Sequence, residues 1–322
     1  MIKTKSTPLA LTSSINRLYE LSLIPKMDLS YHSTISAIFE IVYQIKILEE
    51  KKIPKEEIKQ MLSIPTEIIG RSKFFKHMQD WPRGYPGDYK MIEYVMEGHN
   101  LAEPGSIEYH IENYGLMSPA SQQHRNKVGN QAKRILDKIR KCNNGKTKIL
   151  SIACGNSPDF ELIKDYINPE TVEILLLDGD EDAIKSSLDN LKGLSGSIQT
   201  IVGNIFRNLL NLKAYGKFDL VIIGGLFDYL EEHLIVKILK NIKKFNLSDT
   251  GNVFFTNISP SNPDRIWIEY LANWNLISRS AEELISIATK AGFYPDNITV
   301  SMEKSNITYL VDIVNNDASR MQ

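Results

Sequence analysis

From Thr147 onward, short apolar runs alternate with segments of helical character, and this alternation constrains the fold more than any other feature of the chain. The runs fall at 148–152, 173–178, 198–202, 218–223 and 251–256, and helical spacing falls between them at 160–167, 181–191, 233–245 and 280–291. A strand that is apolar at nearly every position has no face to give to water, so both faces of its sheet must be covered. Regular alternation of such strands with helices predicts a parallel sheet with helices on either side. The last two runs, 298–302 and 308–314, are separated only by a short polar stretch and predict an antiparallel pair. The expected class is therefore α/β, a Rossmann-like, mostly parallel sheet closed by an antiparallel C-terminal hairpin.

The first 145 residues carry no comparable run. Residues 32–52 place Ile35, Ile38, Phe39, Val42, Ile45 and Leu48 at a spacing near 3.6, which predicts a helix burying one face. Pro54 followed by acidic residues predicts a second helix start. A third helix is expected from Pro65 toward Asp80, and a long polar one over 118–142, closed by Asn143, Asn144 and Gly145. Two prolines and two glycines within 81–89 exclude a helix there and predict an ordered loop. The expected division is an N-terminal helical region, 1–117, including that loop, and a sheet domain, 118–322.

Composition adds boundaries. With 322 residues, 42% hydrophobic, 24% charged and a formal net charge of -1, the chain shows no electrostatic footprint for nucleic acid. No stretch approaches the apolar length needed to cross a bilayer, and the start is too short in apolar residues for a secretory signal, so a cytoplasmic protein without stable membrane association is expected. Only two cysteines occur, Cys142 and Cys154, far apart, and nothing has the spacing of a metal site.

Four segments at the ends of the predicted strands carry the chemistry. Ala153-Cys-Gly-Asn-Ser157 leaves the first strand as a tight turn of small residues; Ala153, Gly155 and Asn156 are where backbone N–H groups approach a ligand. Asp178 and Gly179 end the second strand, where a carboxylate can accept both hydroxyls of an adenosine ribose. The plainer alternative is that Asp178, Asp180, Glu181 and Asp182 only favour the next helix start. Gly203 and Asn204 end the third, with Ile205 beside them; Asn204 either meets an adenine amino group through its side-chain carbonyl or forms an ordinary Gly-Asn turn. The fourth strand runs into Gly224-Gly-Leu-Phe-Asp-Tyr-Leu230, where Gly225 and Leu226 border the cofactor and Asp228 and Tyr229 offer polar groups to the reacting centre. This order of features at the carboxyl edge is that expected of class I S-adenosylmethionine (SAM)-dependent methyltransferases, with SAM as cofactor and no metal. The absence of a full Gly-x-Gly-x-x-Gly pattern argues against a dinucleotide.

Three stretches go further: Arg83-Gly-Tyr-Pro-Gly-Asp-Tyr89, Gly225-Leu-Phe-Asp-Tyr-Leu230 and Asn257-Ile-Ser-Pro-Ser-Asn-Pro-Asp-Arg265, with Glu269 and Trp274-Asn-Leu-Ile-Ser-Arg279 behind them. Together, over roughly residues 80 to 295, they resemble the bacterial methyltransferase family associated with biosynthesis of an extracellular factor, 3-hydroxypalmitic acid methyl ester. The resemblance implies methylation of a fatty-acid-like carboxylate. It also implies catalytic or positioning roles for Tyr85, Asp88, Asp228, Tyr229 and Asn257, and acceptor contacts from Arg83, Tyr89, His124, Trp274 and Arg279. Against these stand plainer readings: Trp274 as core, Arg279 paired internally with Glu269 or Glu282, and His124 and Arg125 as solvated helix surface.

The expected activity is SAM-dependent methyl transfer to a small-molecule acceptor, a carboxylate first. Tyrosines and aspartates also suit a cation, so an N-methyltransferase of an amino acid or natural-product amine is the alternative, and a SAM-binding regulator without turnover is a second. The helical first third is expected to cap the acceptor, form a homodimer surface, or both.

Overall fold

The computed structural model describes residues 7–26, 28–142 and 145–316. Met1–Lys5 and the Asn143–Asn144 helix end therefore lie outside the described residues. The chain divides into two compact units: Met1–Gln122 with Pro263–Asn275, and Gln123–Asn262 with Leu276–Gln322. The cut thus falls within the long helix, Pro119–Lys141, and the thirteen residues from Pro263 leave the sheet domain to which the sequence assigned them.

The second unit is a seven-stranded sheet: β1 (Thr147–Ile152), β2 (Val172–Asp178), β3 (Ile198–Val202), β4 (Phe218–Ile223), β5 (Leu247–Ile258), β6 (Ile298–Met302) and β7 (Thr308–Val314). Their order is β3-β2-β1-β4-β5-β7-β6. The first five are parallel, and β7 runs antiparallel between β5 and β6. The alternating side chains explain the unbroken apolar runs. Leu150, Leu175, Val221, Val253 and Val311 point to one face, under helices Glu232–Asn241 and Ala281–Lys290. Ile149, Ile174, Leu220, Phe254 and Leu310 point to the other, against Ala132 and Ile135 of the long helix and Ile184 of helix Glu181–Asn190. Neither face is left to solvent, as a parallel sheet requires.

The helices deviate from expectation where local chemistry intervenes. The predicted 160–167 helix is a four-residue turn of helix, Pro158–Glu161, and a 3₁₀ turn, Lys164–Tyr166. Helix Glu232–Asn241 stops short of Phe245 and passes into a π turn, Ile242–Asn246. The helix expected from Pro65 to Asp80 is two, Ser63–Ile69 and Lys73–Asp80, because Gly70 ends the first and Ser72 caps the second through the Phe75 N–H.

The first unit is helical throughout its described residues, apart from its connecting loops. Its polar centre is Glu112, fully buried, which accepts from the Ser72 hydroxyl (2.8 Å), the Tyr94 hydroxyl (2.6 Å) and the Leu101 N–H (2.6 Å). Three donors on one carboxylate compensate its loss of water. Residues 263–275 belong here by bonds as well as by packing. Asp264 accepts from Tyr114 and from the Ala120 N–H, both at 2.9 Å, Arg265 pairs with Glu49, and the Trp267 ring meets Phe75 and Tyr114 edge-on.

Candidate active site

The carboxyl ends of β1, β2, β3 and β4 gather the four segments. At the end of β1, Ala153, Gly155 and Ser157 all adopt left-handed backbone angles, with φ of +52°, +57° and +55°. Only glycine takes such angles without cost, so the two non-glycine residues are strained. The turn is held in that shape by its surroundings. The Gly155 N–H donates to Asp178 Oδ2 at 2.8 Å, Ser187 Oγ donates to the Gly155 carbonyl at 2.9 Å, and Asn190 Nδ2 donates to the Asn156 carbonyl at 3.3 Å. Ser157 and Ser187 share a further hydroxyl bond at 3.0 Å. Neither Ser187 nor Asn190 was evident as part of this site from sequence. They lie three apart on one helix, and only the fold brings that helix over the turn.

Asp178 also accepts the Asp180 N–H at 2.9 Å through its other oxygen. Burial raises its pKa, opposed by the backbone N–H groups it accepts. The helix beyond is capped by Asp180, which accepts from the Asp182 and Ala183 N–H groups. Each carboxylate oxygen has two lone pairs, so Asp178 can brace the turn and still accept from a ligand. Asn204 differs from one expectation: its carbonyl oxygen already accepts the Phe206 N–H at 2.8 Å, as the cap of helix Ile205–Asn208, and its neighbour Ile205 is buried.

Two features leave room and unpaired polar atoms at this edge. A side-chain carbon added at Gly179 would meet nothing within 4 Å, and one at Gly225 would meet only Lys127 Nζ, at 3.9 Å. Beside the turn, Asn156 Oδ1 and Asp159 Oδ2 are buried without a hydrogen-bond partner. Buried polar atoms are rarely left so. Burial lifts Asp159 to a pKa of about 6, which is the cost of that isolation.

At the end of β4 the polar residues are tied together. Asp228 is buried; its Oδ1 accepts the Ile258 N–H at 2.6 Å and its Oδ2 stands 3.8 Å from Lys127 Nζ. Burial raises its pKa against the pull of Lys127. Asn257 and Arg279 form a strut inside the unit. Arg279 Nη1 donates to Asn257 Oδ1 (2.7 Å) and the Phe227 carbonyl (2.9 Å), and Nη2 donates to the Leu230 carbonyl, while Asn257 Nδ2 donates to the Ile277 carbonyl at 2.8 Å. Arg279 is thus neither an open fork for a carboxylate nor paired with Glu269 or Glu282: it clamps the 227–230 loop. Leu226 is packed against the core and Tyr229 is half-buried.

His124 and Lys127 come from the long helix. His124 is half-buried; burial, then the charges of Lys127 and Arg125, hold its imidazole well below its ordinary pKa. Lys127 was not singled out by sequence, because a polar helix suggests a solvated face. Yet Gln123, Lys127 and Gln131, spaced four apart, are all buried. A side-chain carbon on Gly224 would lie 2.5 Å from the Gln131 amide, so the Gln131 side chain rests against that glycine.

The remaining expected residues lie in the helical unit. Asp88 is 1% exposed and caps helix Tyr89–Glu97 by accepting the Met91 N–H at 3.0 Å, while its other oxygen meets His77 Nε2 at 2.8 Å. This is a structural use the sequence pattern had not shown. Arg83 lies over the Tyr89 ring at 5.0 Å, Tyr89 is buried, Tyr85 is exposed, and Trp274 is buried in this unit. A separate recess bounded by Lys148, Glu173, Gly196 and Phe218 sits at the opposite, amino end of the strands. Among the described residues no cluster of His, Cys, Asp and Glu could hold a metal, and no helix is long and apolar enough to cross a membrane.

The fold defined by this sheet and its terminal pair is that of class I SAM-dependent methyltransferases. No protein-family model matches the chain, and no curated protein matches it in sequence. Solved structures do. A protein of Bordetella parapertussis described as a possible exported protein is 13% identical, with a TM-score of 0.60 over 97% of this chain and 100% of that one. Magnesium protoporphyrin IX methyltransferase of Synechocystis PCC 6803, solved with S-adenosylhomocysteine (SAH), is 9% identical, with a TM-score of 0.50 over 76% of this chain and 100% of that one. At such identities the likeness is one of fold.

Proposed function

We propose that this chain is a SAM-dependent methyltransferase whose acceptor is the carboxylate of a small, fatty-acid-like molecule. The observation that carries the cofactor is the turn at 153–157, left-handed at three alternate positions and pinned to Asp178, with open space beside Gly179 and Gly225. The Synechocystis relative in fold was solved with SAH, and the residues present here fit the same kind of ligand. The Asp178 carboxylate would accept from ribose hydroxyls. The buried oxygens of Asn156 and Asp159 would take donors from the amino-acid end.

When bound, SAM supplies a methyl group on a positive sulfur, reactive enough that the protein need not activate it. What the chain contributes is position: holding the acceptor oxygen in line and excluding water accounts for most of the rate. A carboxylate is already a nucleophile at neutral pH, so no base is required. The strand-end groups agree with that. Asp228, the buried acid nearest the reacting edge, has one oxygen committed to the β5 backbone and the other facing a lysine, a poor arrangement for removing a proton from an amine. The resemblance to the hydroxypalmitate methyl ester family supports the same acceptor class.

Calorimetric titration with SAH and, in parallel, with NAD tests the cofactor. SAH is expected to bind and NAD not to; failure of SAH to bind overturns the reading. Labelled SAM offered with 3-hydroxypalmitate and with long-chain amines then tests the acceptor, and label in the amine alone would replace the carboxylate.

A further inference from the structure

Lys127 is a buried lysine whose bonding is incomplete. Its side chain is 6% exposed, and its one ion pair among the described residues is to Asp228 Oδ2, at 3.8 Å, beyond hydrogen-bond length. Removing an ammonium from water costs several kcal/mol unless acceptors replace the solvent. The nearby carboxylates do not serve. Asp228 spends Oδ1 on the Ile258 N–H and holds Oδ2 at 3.8 Å from the ammonium, and Glu303 accepts from the Asn126 amide (2.6 Å) and the N–H groups of Ser305 (2.7 Å) and Ile307 (3.0 Å) rather than from Lys127. The ammonium thus keeps donors to spare, and it does so beside Gly225, where space is bounded by Nζ and by nothing else within 4 Å. That is the end of β4, in the crevice beyond the carboxyl ends of the strands, where ligands of open α/β sheets bind.

We propose that Lys127 binds the methyl acceptor, its ammonium donating to one oxygen of a carboxylate seated over Gly225 and thereby selecting anions over amines. This rests on the methyltransferase reading and deepens it. A charge-assisted bond to one oxygen leaves the second as nucleophile. The O–CH₃ bond forms as the S–CH₃ bond breaks, the electron pair passes to sulfur, no proton moves, and a neutral ester and SAH result. The fixed positive charge also loses its partner when the acceptor anion becomes an ester, which favours release of product. An amine acceptor would meet a like charge there, whereas an anion adds to the carboxylates of Asp228 and Glu303 that already oppose the lowering of the Lys127 pKa by burial.

The test uses the full chain saturated with SAH and titrated with octanoate and with octylamine, in the wild type, Lys127→Met and Lys127→Arg. Octanoate is expected to bind the wild type, to lose about tenfold or more in affinity in Lys127→Met, as deletion of one charge-assisted bond implies, and to recover most of it in Lys127→Arg. SAH affinity is expected to be the same in all three. Equal octanoate affinity in the wild type and Lys127→Met, no octanoate binding to SAH-loaded wild type, or a wild-type preference for octylamine would each overturn the proposal. Should Lys127→Met not fold, the octanoate–octylamine comparison in the wild type and Lys127→Arg still decides it. Failure of SAH itself to bind is visible in the first titration and would strike the methyltransferase reading instead.

Discussion

Asp178→Asn separates the structural use of that carboxylate from its use on a ligand. The side chain accepts the Gly155 N–H at 2.8 Å with one oxygen and the Asp180 N–H at 2.9 Å with the other. An amide has one acceptor atom, so whichever bond it keeps, its NH₂ must face the other N–H. Losing one hydrogen bond to a charged group costs ~1.5–3 kcal/mol. Part of that returns, because burial already disfavours the ionised acid, so the net fall in unfolding free energy should be ~1–2 kcal/mol. A ribose would lose at least one charge-assisted acceptor as well, which corresponds to a ~10–100-fold weaker SAH complex at ~1.4 kcal/mol per factor of ten. Urea unfolding without ligand gives the first quantity and calorimetry with SAH at a temperature where both proteins are folded gives the second. SAH affinity within twofold of wild type, together with the expected loss of stability, would show that Asp178 is only a brace for the turn and that the ribose assignment is wrong.

Ala153→Gly should raise stability by ~0.5–1 kcal/mol in urea unfolding, because relief of the left-handed Ala153 outweighs the added chain entropy. Ser157→Gly should gain nothing, since it forfeits the bond to Ser187; a clear gain there would refute the role given to that pair. Asp159 has a folded pKa of about 6 against an ordinary 3.8. Its neutral form is the one the fold favours, so its contribution is full below about pH 4 and lost as pH rises through about 6, by up to ~3 kcal/mol. Asp159→Asn should therefore flatten the ligand-free stability profile between pH 4 and 7 relative to wild type, and parallel profiles would contradict this. Arg279→Lys should lower stability by ~2–4 kcal/mol, because one ammonium cannot span the Phe227 and Leu230 carbonyls and Asn257 Oδ1 together; thermal unfolding within about a degree of wild type would count against the clamp.

The strands were legible because a doubly covered sheet writes itself as uninterrupted Val, Ile and Leu, and the turn and Asp178 were legible because their order follows the strand ends. Other parts were hidden for physical reasons. Asp88 and Asn204 each follow a glycine and Asn257 lies at a strand end, contexts shared by ligand contacts and by structural bonds, and only the fold shows the Met91, Phe206 and Ile277 backbone groups they serve. Lys127 escaped because the apolar stripe of its helix is narrow and the buried row beside it is polar, which reads as a solvated face. The signal was present as Gln123, Lys127 and Gln131 at intervals of four, a polar row beside Val128, Ala132 and Ile135, which does line the core. Pro263–Asn275 could not be placed at all from local pattern, since its partners, Glu49, Phe75 and Tyr114, lie some 150 to 220 positions upstream.

That last segment bears on how the protein is made. The helical unit is complete only when Pro263–Asn275 has been added to Met1–Gln122, so a ribosome must synthesise roughly 140 intervening residues first, about 7–28 s at roughly 5–20 residues per second. Throughout that interval Phe75 and Tyr114 lack Trp267, and Glu49 lacks Arg265. The helical unit is thus begun before the sheet unit and yet among the last to close. A stop codon anywhere before Asn275 would damage it along with the sheet, and 1–122 expressed as a fragment should behave as an unfinished domain in need of its missing thirteen residues.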